Sequence, residues 1–268
     1  MDPRRLGNTG LSVSPIGLGT SKLGRNTDVK YPLRFDLPSD RQLEALLQSA
    51  LDLGVNLIDT APAYGDSEDR LGNVMAGQRG HWVLCTKCGE RYEDGRSTYD
   101  FSGPALLRSV DASLRRLRTD HIDILLLHSD GRDVEILAQG DTVESLHRIK
   151  TAGKARAIGI SAKTSEGVTA AMPIFDVIMA PFNQRDPRLA QALGNARAQG
   201  LGILAIKGLF SGHLAAPAAI EFVLRQPFVD ALIVGTIDAA HLLEAVMVAE
   251  RVLPRPAPEA REHRRCRS

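Results

Sequence analysis

The sequence predicts a (β/α)8 barrel, and three observations carry that prediction. Short apolar runs alternate with helical patterns from Val13 to Val252. The apolar runs number eight, and each is followed by a helix. They are near-continuously apolar, as parallel strands buried on both faces are. A doubly wound open sheet shares the alternation. Its GxGxxG fingerprint is missing, however: "GLGTSKLG" (Gly17–Gly24) has the wrong spacing and no helix directly after it.

The elements follow in order. "VSPIGLGT" (Val13–Thr20) reads as the first strand. "SDRQLEALLQSALDLG" (Ser39–Gly54) has a capping serine, helical apolar spacing and a closing glycine. "VNLIDT" is the second strand and "SEDRLGNVMAG" a short helix. "HWVLCTK" (His81–Lys87) is the third strand. "SGPALLRSVDASLRRLR" (Ser102–Arg118) opens with a cap and an early proline, as helices do. "HIDILLLH" (His121–His128) is the fourth strand. "DTVESLHRIKTAG" (Asp141–Gly153) is a helix with a capping box from Asp141 to Glu144. "ARAIGIS" (Ala155–Ser161) and "DVIMAPF" (Asp176–Phe182) are strands around the short helix "SEGVTAAM". The helix Pro187–Gly200, the strand Leu201–Lys207, the helix Pro217–Pro227, the strand Ala231–Thr236 and the helix Asp238–Val252 complete the pattern. Residues 1–253 therefore form one domain. The proline- and arginine-rich segment 254–268 has little to bury and is expected to be a mobile, solvated tail.

Composition narrows the functional classes. With 43% hydrophobic and 24% charged residues, the 268-residue chain is an ordinary globular protein with a full core. A net charge of +1 gives no broad electrostatic case for nucleic acid or membrane partners. No apolar run reaches the ~18 residues a bilayer span needs. The N-terminus lacks a signal-peptide core. Three cysteines cannot form a disulfide framework, so a cytoplasmic location is expected. Cys85 and Cys88 have CxxC spacing, but they flank a strand end instead of opening a helix, so a redox role is not expected. The histidines are scattered without HxH or HExxH spacing, and no metal site is expected.

In a barrel, chemistry sits where strands end. The second strand ends in Asp59, with Tyr64 in the loop beyond it. The third ends in Lys87 and the fourth in His128. Three neighbouring strands thus send four ionisable side chains to one mouth. A phenol has an ordinary pKa near ~10. A lysine ammonium beside it favours phenolate and lowers that value, and an aspartate holds the lysine charged. A histidine directs a carbonyl oxygen towards the phenol. Together they make Tyr64 a general acid over a carbonyl. None of these residues donates hydride, so a cofactor must.

The stretches "RRLGNTGLSVSPIGLGT", "LIDTAPAYGDSEDRLG", "TKCG", "SVDASLRRLRTDHIDILLLH", "GKARAIGISAKT" and "VGTIDAAHLLEAV" run in order from Arg4 to Val246. In them the chain resembles the aldo-keto reductase superfamily. The resemblance implies a TIM barrel closed at the bottom by an N-terminal β-hairpin, with NAD or NADP across the mouth. It implies a tetrad of Asp59, Tyr64, Lys87 and His128. It also implies cofactor contacts at Gly19 and Thr20, at Ser161 and Met179, and at Lys207 where a tyrosine often stacks on nicotinamide. A pyrophosphate loop follows over Gly208, Leu209, Ser211 and Gly212, then an adenosine end at Gly235, Thr236, His241 and Glu244. The sequence departs from the family at Ala162 and Ala245, where asparagine is usual, at Met179 for glutamine, at Lys207 for tyrosine and at His241 for arginine. The cation-poor segment Gly235–Ala245 predicts weak discrimination between NAD and NADP, unless Arg185 or Arg188 reaches it.

"TKCGERYEDG" followed by "YDFSGPALLRSVDASL" is similar to the sugar dehydrogenase branch that includes L-galactose and related aldose dehydrogenases. The loop Gly89 to Phe101 carries Glu90, Arg91, Tyr92, Glu93, Asp94, Arg96, Tyr99 and Asp100, a polar density that suits a hydroxylated substrate or a solvated loop. The expected activity is hydride transfer between the cofactor and an aldehyde, ketone or sugar. The alternative is a cofactor-binding regulatory protein with little turnover; a panel of carbonyls and sugars discriminates the two. Substrate, reaction direction and oligomeric state are left open by the sequence.

Overall fold

The computed structural model describes residues 1–27, 29 and 34–254. The tail expected to be mobile thus falls, from residue 255 onward, outside the described residues. In chain order the strands are β1 (Arg4–Arg5), β2 (Ser12–Val13), β3 (Ile16–Gly19), β4 (Leu57–Asp59), β5 (Val83–Cys88), β6 (Glu90–Glu93), β7 (Arg96–Tyr99), β8 (Ile122–His128), β9 (Ala155–Ser161), β10 (Val177–Pro181), β11 (Gly202–Ile206) and β12 (Ala231–Gly235). The helices are α1 (Ser21–Gly24), α2 (Asp40–Asp52), α3 (Ser67–Val74), α4 (Gly103–Leu117), α5 (Asp133–Leu137), α6 (Gly140–Thr151), α7 (Ser165–Ala171), α8 (Ala190–Ala198), α9 (Ala216–Leu224) and α10 (Ala239–Val252).

Eight parallel strands close in the order β3-β4-β5-β8-β9-β10-β11-β12 and back to β3. The eight strands expected from the sequence are these eight, and their ends shift by at most three residues. The first is the exception: Pro15 interrupts it, so Val13 belongs to a separate short strand. Between the barrel and the helices lies the main apolar layer, with Leu43, Leu46, Leu84, Leu106, Leu125 and Ile158 among its buried members. A second, inner layer fills the barrel itself with Leu57, Cys85, Ile124, Leu126, Val177, Met179, Leu204 and Ile233.

Leu6, Leu11 and Val13 belong to that inner layer, so the antiparallel β1–β2 hairpin plugs the barrel floor. The fit is close: a Cβ on Gly7 would come within 2.3 Å of the Gly202 nitrogen at the start of β11. Gly7 also has a φ of +48°, so both space and conformation require glycine there.

Two helix starts differ from expectation. α2 has the full capping box, Ser39 Oγ accepting from Gln42 N and Gln42 accepting from Ser39 N. The box expected from Asp141 to Glu144 is not formed, because α6 begins at Gly140 with Gln139 before it. Asp141 serves the neighbouring helix instead: its carboxylate accepts from Gly103 N, the first residue of α4, at 2.8 Å. An anion there satisfies an orphan N–H and complements the helix dipole. The Ser102 hydroxyl, expected to cap α4, donates to Asp100 instead.

No helix among the described residues is long and apolar enough to cross a membrane.

Candidate active site

Alternation along a strand sends every second side chain into the barrel. Leu57, Cys85 and Leu126 lie in the inner layer. Asp59, Lys87 and His128 come two residues later and form the next layer up, at the mouth. The same count brings Gly19, Ser161, Ile206 and Gly235 to that level. Register agrees: Gly19 pairs with Asp59 on one side and with Gly235 on the other, and His128 pairs with Ser161.

After β4 the chain makes one 3-10 turn, Pro62–Tyr64, in which Tyr64 N donates to Ala61 O at 3.0 Å. The turn is clamped from outside. A Cβ on Gly24 would stand 2.3 Å from the Tyr64 carbonyl, so only glycine lets α1 approach this closely. Arg25 donates to Ala63 O at 3.2 Å, and its guanidinium lies 3.7 Å from the centre of the Tyr92 ring. The clamp brings the Tyr64 ring edge-on to His128, with centroids 6.1 Å apart, and puts Lys87 Nζ 4.8 Å from the Tyr64 ring centre. All four tetrad residues expected from the sequence are thus brought together.

Lys87 is 1% exposed. It donates to Asp59 Oδ1 at 2.5 Å and to the Thr60 carbonyl at 2.9 Å. Burial alone would pull the ammonium down; the Asp59 charge, joined by Tyr64 and Cys85, outweighs it and holds Lys87 above its ordinary value. Tyr64 corrects an expectation. Part of its ring reaches solvent, yet burial pushes the phenol up to about 12, Lys87 notwithstanding. Burial outweighs the lysine's pull on the phenol, and Asp59, lying against Lys87, offsets part of that pull. Tyr64 is therefore a neutral phenol at pH 7, the form that donates a proton.

His128 is the fourth member, and its Nδ1 atom faces a partner absent from the sequence-derived tetrad. Glu90 Oε2 lies 2.8 Å from Nδ1. The oxygen sits off the ring N–H direction, so the contact is a close charge contact and not an aligned hydrogen bond. Burial pulls His128 below its ordinary value, and Lys87 adds to this; Glu90 partly offsets both. Glu90 is buried, which opposes ionisation, but His128, Ser97 and Tyr99 together hold its carboxyl well below the usual carboxylate range. Glu90 comes from the β6–β7 hairpin, which the sequence reading treated as a polar loop. Its signal was present: "ERYE" and "RSTY" flank Asp94-Gly95, both at positive φ, the two-residue hairpin turn.

The expected cofactor positions divide. Gly19 and Gly235 give the mouth a bare backbone edge, and a Cβ on Gly19 would come within 3.0 Å of Ile233. Ser161 sits at the β9 end. Met179 is fully buried in the inner layer and Ala162 is fully buried, so neither offers a polar group. Thr20 is inaccessible, and its hydroxyl donates to the Asp59 carbonyl at 2.9 Å, supporting β4 instead of facing a ligand. Lys207 is exposed with φ +55°; the side chain that β11 turns inward is Ile206. In the loop beyond, Gly208 is buried, Leu209 and Ser211 are half-buried, and Gly212 is exposed with φ +91°. Thr236 is engaged with Asp238 N and O, while His241 and Glu244 are exposed and Ala245 is buried. Arg185 lies 5.6 Å from the Phe210 ring, beside the Gly208–Gly212 loop, and Arg188 pairs with Asp186 at 2.7 Å.

Both cysteines of the CxxC pair are buried, and burial raises both thiols, so neither is a ready thiolate. A separate cleft of about 730 Å³ runs along the outer side of the hairpin past Tyr92, Tyr99 and Arg108, and none of the four tetrad residues lines it.

Known proteins give the chain its family. The profile of the Aldo/keto reductase family matches residues 15–214. L-galactose dehydrogenase of Arabidopsis thaliana is 34% identical over 240 residues, covering 84% of this chain and 70% of that protein. NADH-specific methylglyoxal reductase of Escherichia coli is 32% identical over 203 residues, covering 70% and 61%. Two Bacillus subtilis relatives are matched over only about half their length, 49% and 47%. A Pseudomonas aeruginosa crystal structure provisionally described as an aldo-keto reductase superposes with a TM-score of 0.87 at 44% identity, over 94% of this chain and 95% of that one. The holo form of a Bacillus halodurans aldo-keto reductase shares the fold, with a TM-score of 0.81 at 23% identity, over 93% and 91%. Barrel, tetrad geometry and these matches lead to one statement: the chain belongs to the aldo/keto reductase family.

Proposed function

We propose that the protein is an NAD(P)-dependent oxidoreductase that interconverts a carbonyl and an alcohol on an aldehyde, ketone or sugar, with Tyr64 as the general acid/base. The observation that carries this reading is the buried Lys87–Asp59 pair packed against Tyr64. A buried charge pair is weak as a stability device. Here it lies under a phenol and beside His128, where it orders the proton donor.

The residues at the mouth fit a nicotinamide. Gly19 and Gly235 leave room for a flat ring, Ile206 offers an apolar face and Ser161 a hydroxyl for the carboxamide. Aldo-keto reductases use NAD(P)H, which when bound supplies the hydride. The chain's own residues do the rest. Tyr64 donates its proton to the substrate oxygen in reduction and takes one in oxidation. Lys87 lowers the cost of the phenolate, and Asp59 holds Lys87 in place. His128 lies across from Tyr64 and orients the same oxygen or a neighbouring one. The relatives' names, L-galactose dehydrogenase and methylglyoxal reductase, suit a small oxygenated substrate.

The test is turnover of a panel of aldehydes, ketones and sugars with NADH, NADPH and their oxidised forms, in wild type and Tyr64→Phe. The variant should bind cofactor like wild type and lose ~10²–10⁴-fold in kcat. A Tyr64→Phe enzyme within a few-fold of wild type removes Tyr64 from the mechanism.

A further inference from the structure

Tyr64 stands on a short piece of chain. Its 3-10 turn, Pro62–Tyr64, is closed by Tyr64 N donating to Ala61 O at 3.0 Å. A helix of one turn lacks the cooperativity that holds longer ones, so contacts from outside decide where the phenol stands. Those contacts come from the end of α1 and the residue after it. Asp66 N donates to Gly24 O at 3.3 Å, and a Cβ on Gly65 would stand 2.3 Å from that oxygen. Arg25 then reaches the turn itself. Its Nη1 donates to Ala63 O, a carbonyl at the open end of the turn, at 3.2 Å. Its Nε donates to Thr27 O at 3.1 Å, and its Cζ lies 3.7 Å from the centre of the Tyr92 ring. The guanidinium thus gives its face to a tyrosine and its edge to two carbonyls. A planar fork can do both at once; an ammonium cannot. Tyr92 belongs to β6, so the stack ties the hairpin to the turn that carries the proton donor.

We propose that Arg25 is a positioning residue for proton transfer: held flat by Tyr92, it fixes the Pro62–Tyr64 turn and with it the distance from the Tyr64 hydroxyl to the substrate oxygen. The inference rests on the reading of Tyr64 as general acid/base. Arg25 acts through the backbone of the turn and lends no proton. Without it the turn is free to drift outward, and a donor misplaced by ~1 Å costs ~10²-fold in rate. The proposed nicotinamide positions Gly19, Ser161 and Gly235 lie on the barrel strands β3, β9 and β12 and stay where they are. The surroundings of the phenol change as well. Burial pushes it up to about 12 against the pull of Lys87, with Asp59 and Cys85 adding to the rise, and His128 stands edge-on to the ring. A ring that swings into water loses these influences together and returns towards ~10.

The experiment compares Arg25→Ala, Arg25→Lys, Tyr92→Leu and Tyr92→Phe with wild type in the full chain. It measures kcat and KM on the best carbonyl substrate, and cofactor Kd by titration calorimetry. Arg25→Ala should lose ~10–10²-fold in kcat while its cofactor Kd stays near wild type. Added guanidinium ion should restore part of that rate. Arg25→Lys keeps the charge without the planar fork and should remain impaired; it carries the same expectations should Arg25→Ala not fold. Tyr92→Leu should lose kcat too, and the double variant Arg25→Ala/Tyr92→Leu should be no worse than Arg25→Ala alone, because the two side chains act as a unit. Tyr92→Phe keeps the ring face and should lie close to wild type. Tyrosine 13Cζ NMR reads the placement without turnover: the chain has four tyrosines, and Tyr64→Phe assigns the resonance. At pH 10, Tyr64 should be almost wholly phenol in wild type and about half phenolate in Arg25→Ala. An Arg25→Ala variant with wild-type kcat overturns the proposal. So does a cofactor affinity that falls as far as kcat, or an unchanged Tyr64 titration. Full turnover in Tyr64→Phe would sink the reading of Tyr64 instead, while the titration would still decide whether Arg25 holds the ring.

Discussion

Replacing Lys87 with methionine separates catalysis from stability. The substitution keeps the length of the stem and removes the ammonium. Asp59 Oδ1 then loses the donor at 2.5 Å and sits almost wholly buried, with 4% of its side chain exposed. Breaking a buried pair from one side costs about 3–5 kcal/mol, because an uncompensated charge stays behind. At ~2–4 °C per kcal/mol for a chain of this size, Tm should fall by roughly 6–20 °C. Removing both charges in Asp59→Asn/Lys87→Met leaves no orphan charge, and most of that loss should return. Urea unfolding at pH 7, fitted for the midpoint and slope, measures single and double variants alike. Lys87 is held above its ordinary value, so its contribution is fully present below the unfolded lysine pKa of ~10.4 and is lost only as pH rises through the folded value. The gap between wild type and Lys87→Met should therefore be the same at pH 7 and pH 9. Activity should be abolished in both, since Tyr64 then climbs still further without the lysine. A double variant as unstable as Lys87→Met would refute the coupling. Retained turnover in either would make the pair structural only.

Other outcomes follow from the same geometry. NADP differs from NAD by a 2′-phosphate of nearly two charges, and the Gly235–Ala245 segment holds no lysine or arginine. kcat/KM with NADH and NADPH should then lie within ~100-fold, and His241→Arg should raise the NADPH value; a wild-type NADPH preference beyond ~100-fold contradicts this. Glu68 is fully buried and accepts from Thr86 at 2.6 Å, Ser113 at 3.1 Å and Arg116 at 2.8 Å, joining α3, β5 and α4. Glu68→Ala strands those donors and should cost ~3–5 kcal/mol, read as a fall in Tm; a loss under ~1 kcal/mol would show that water replaces the carboxylate.

The barrel was legible because parallel strands buried on both faces leave unmistakable apolar runs, such as "HIDILLLH" and "ALIVGT". Helix starts were less so. A cap is a contact, and sequence spacing shows only the nearest candidate. Ser39 capped its helix as expected, whereas Asp141 turned to Gly103 on the neighbouring helix. The hairpin was missed because its residues are polar on both strands, which hid the alternation that Asp94-Gly95 should have prompted.

The same contrast governs the site. Asp59, Lys87 and His128 could be read because each is an acidic, basic or imidazole side chain at the end of an apolar strand, and strand ends meet at the mouth. What lies one residue off such a row cannot be read as safely. Strand side chains alternate, so a shift of one position exchanges the barrel interior for the outside. Leu204 is inward, hence Ile206 is inward and Lys207 is not. The side chain that faces the mouth at that strand end is therefore the aliphatic Ile206, and Lys207 is exposed outside that row. The electrostatics were harder still. The sign of the Tyr64 shift depended on burial outweighing Lys87, with Asp59 offsetting part of the lysine's pull, a sum that residue spacing does not reveal. His128 depended on Glu90, which reaches it from a hairpin 38 residues earlier in the chain. Residue types at strand ends thus name a chemistry; which proton each group carries is decided by side chains that only the fold brings alongside.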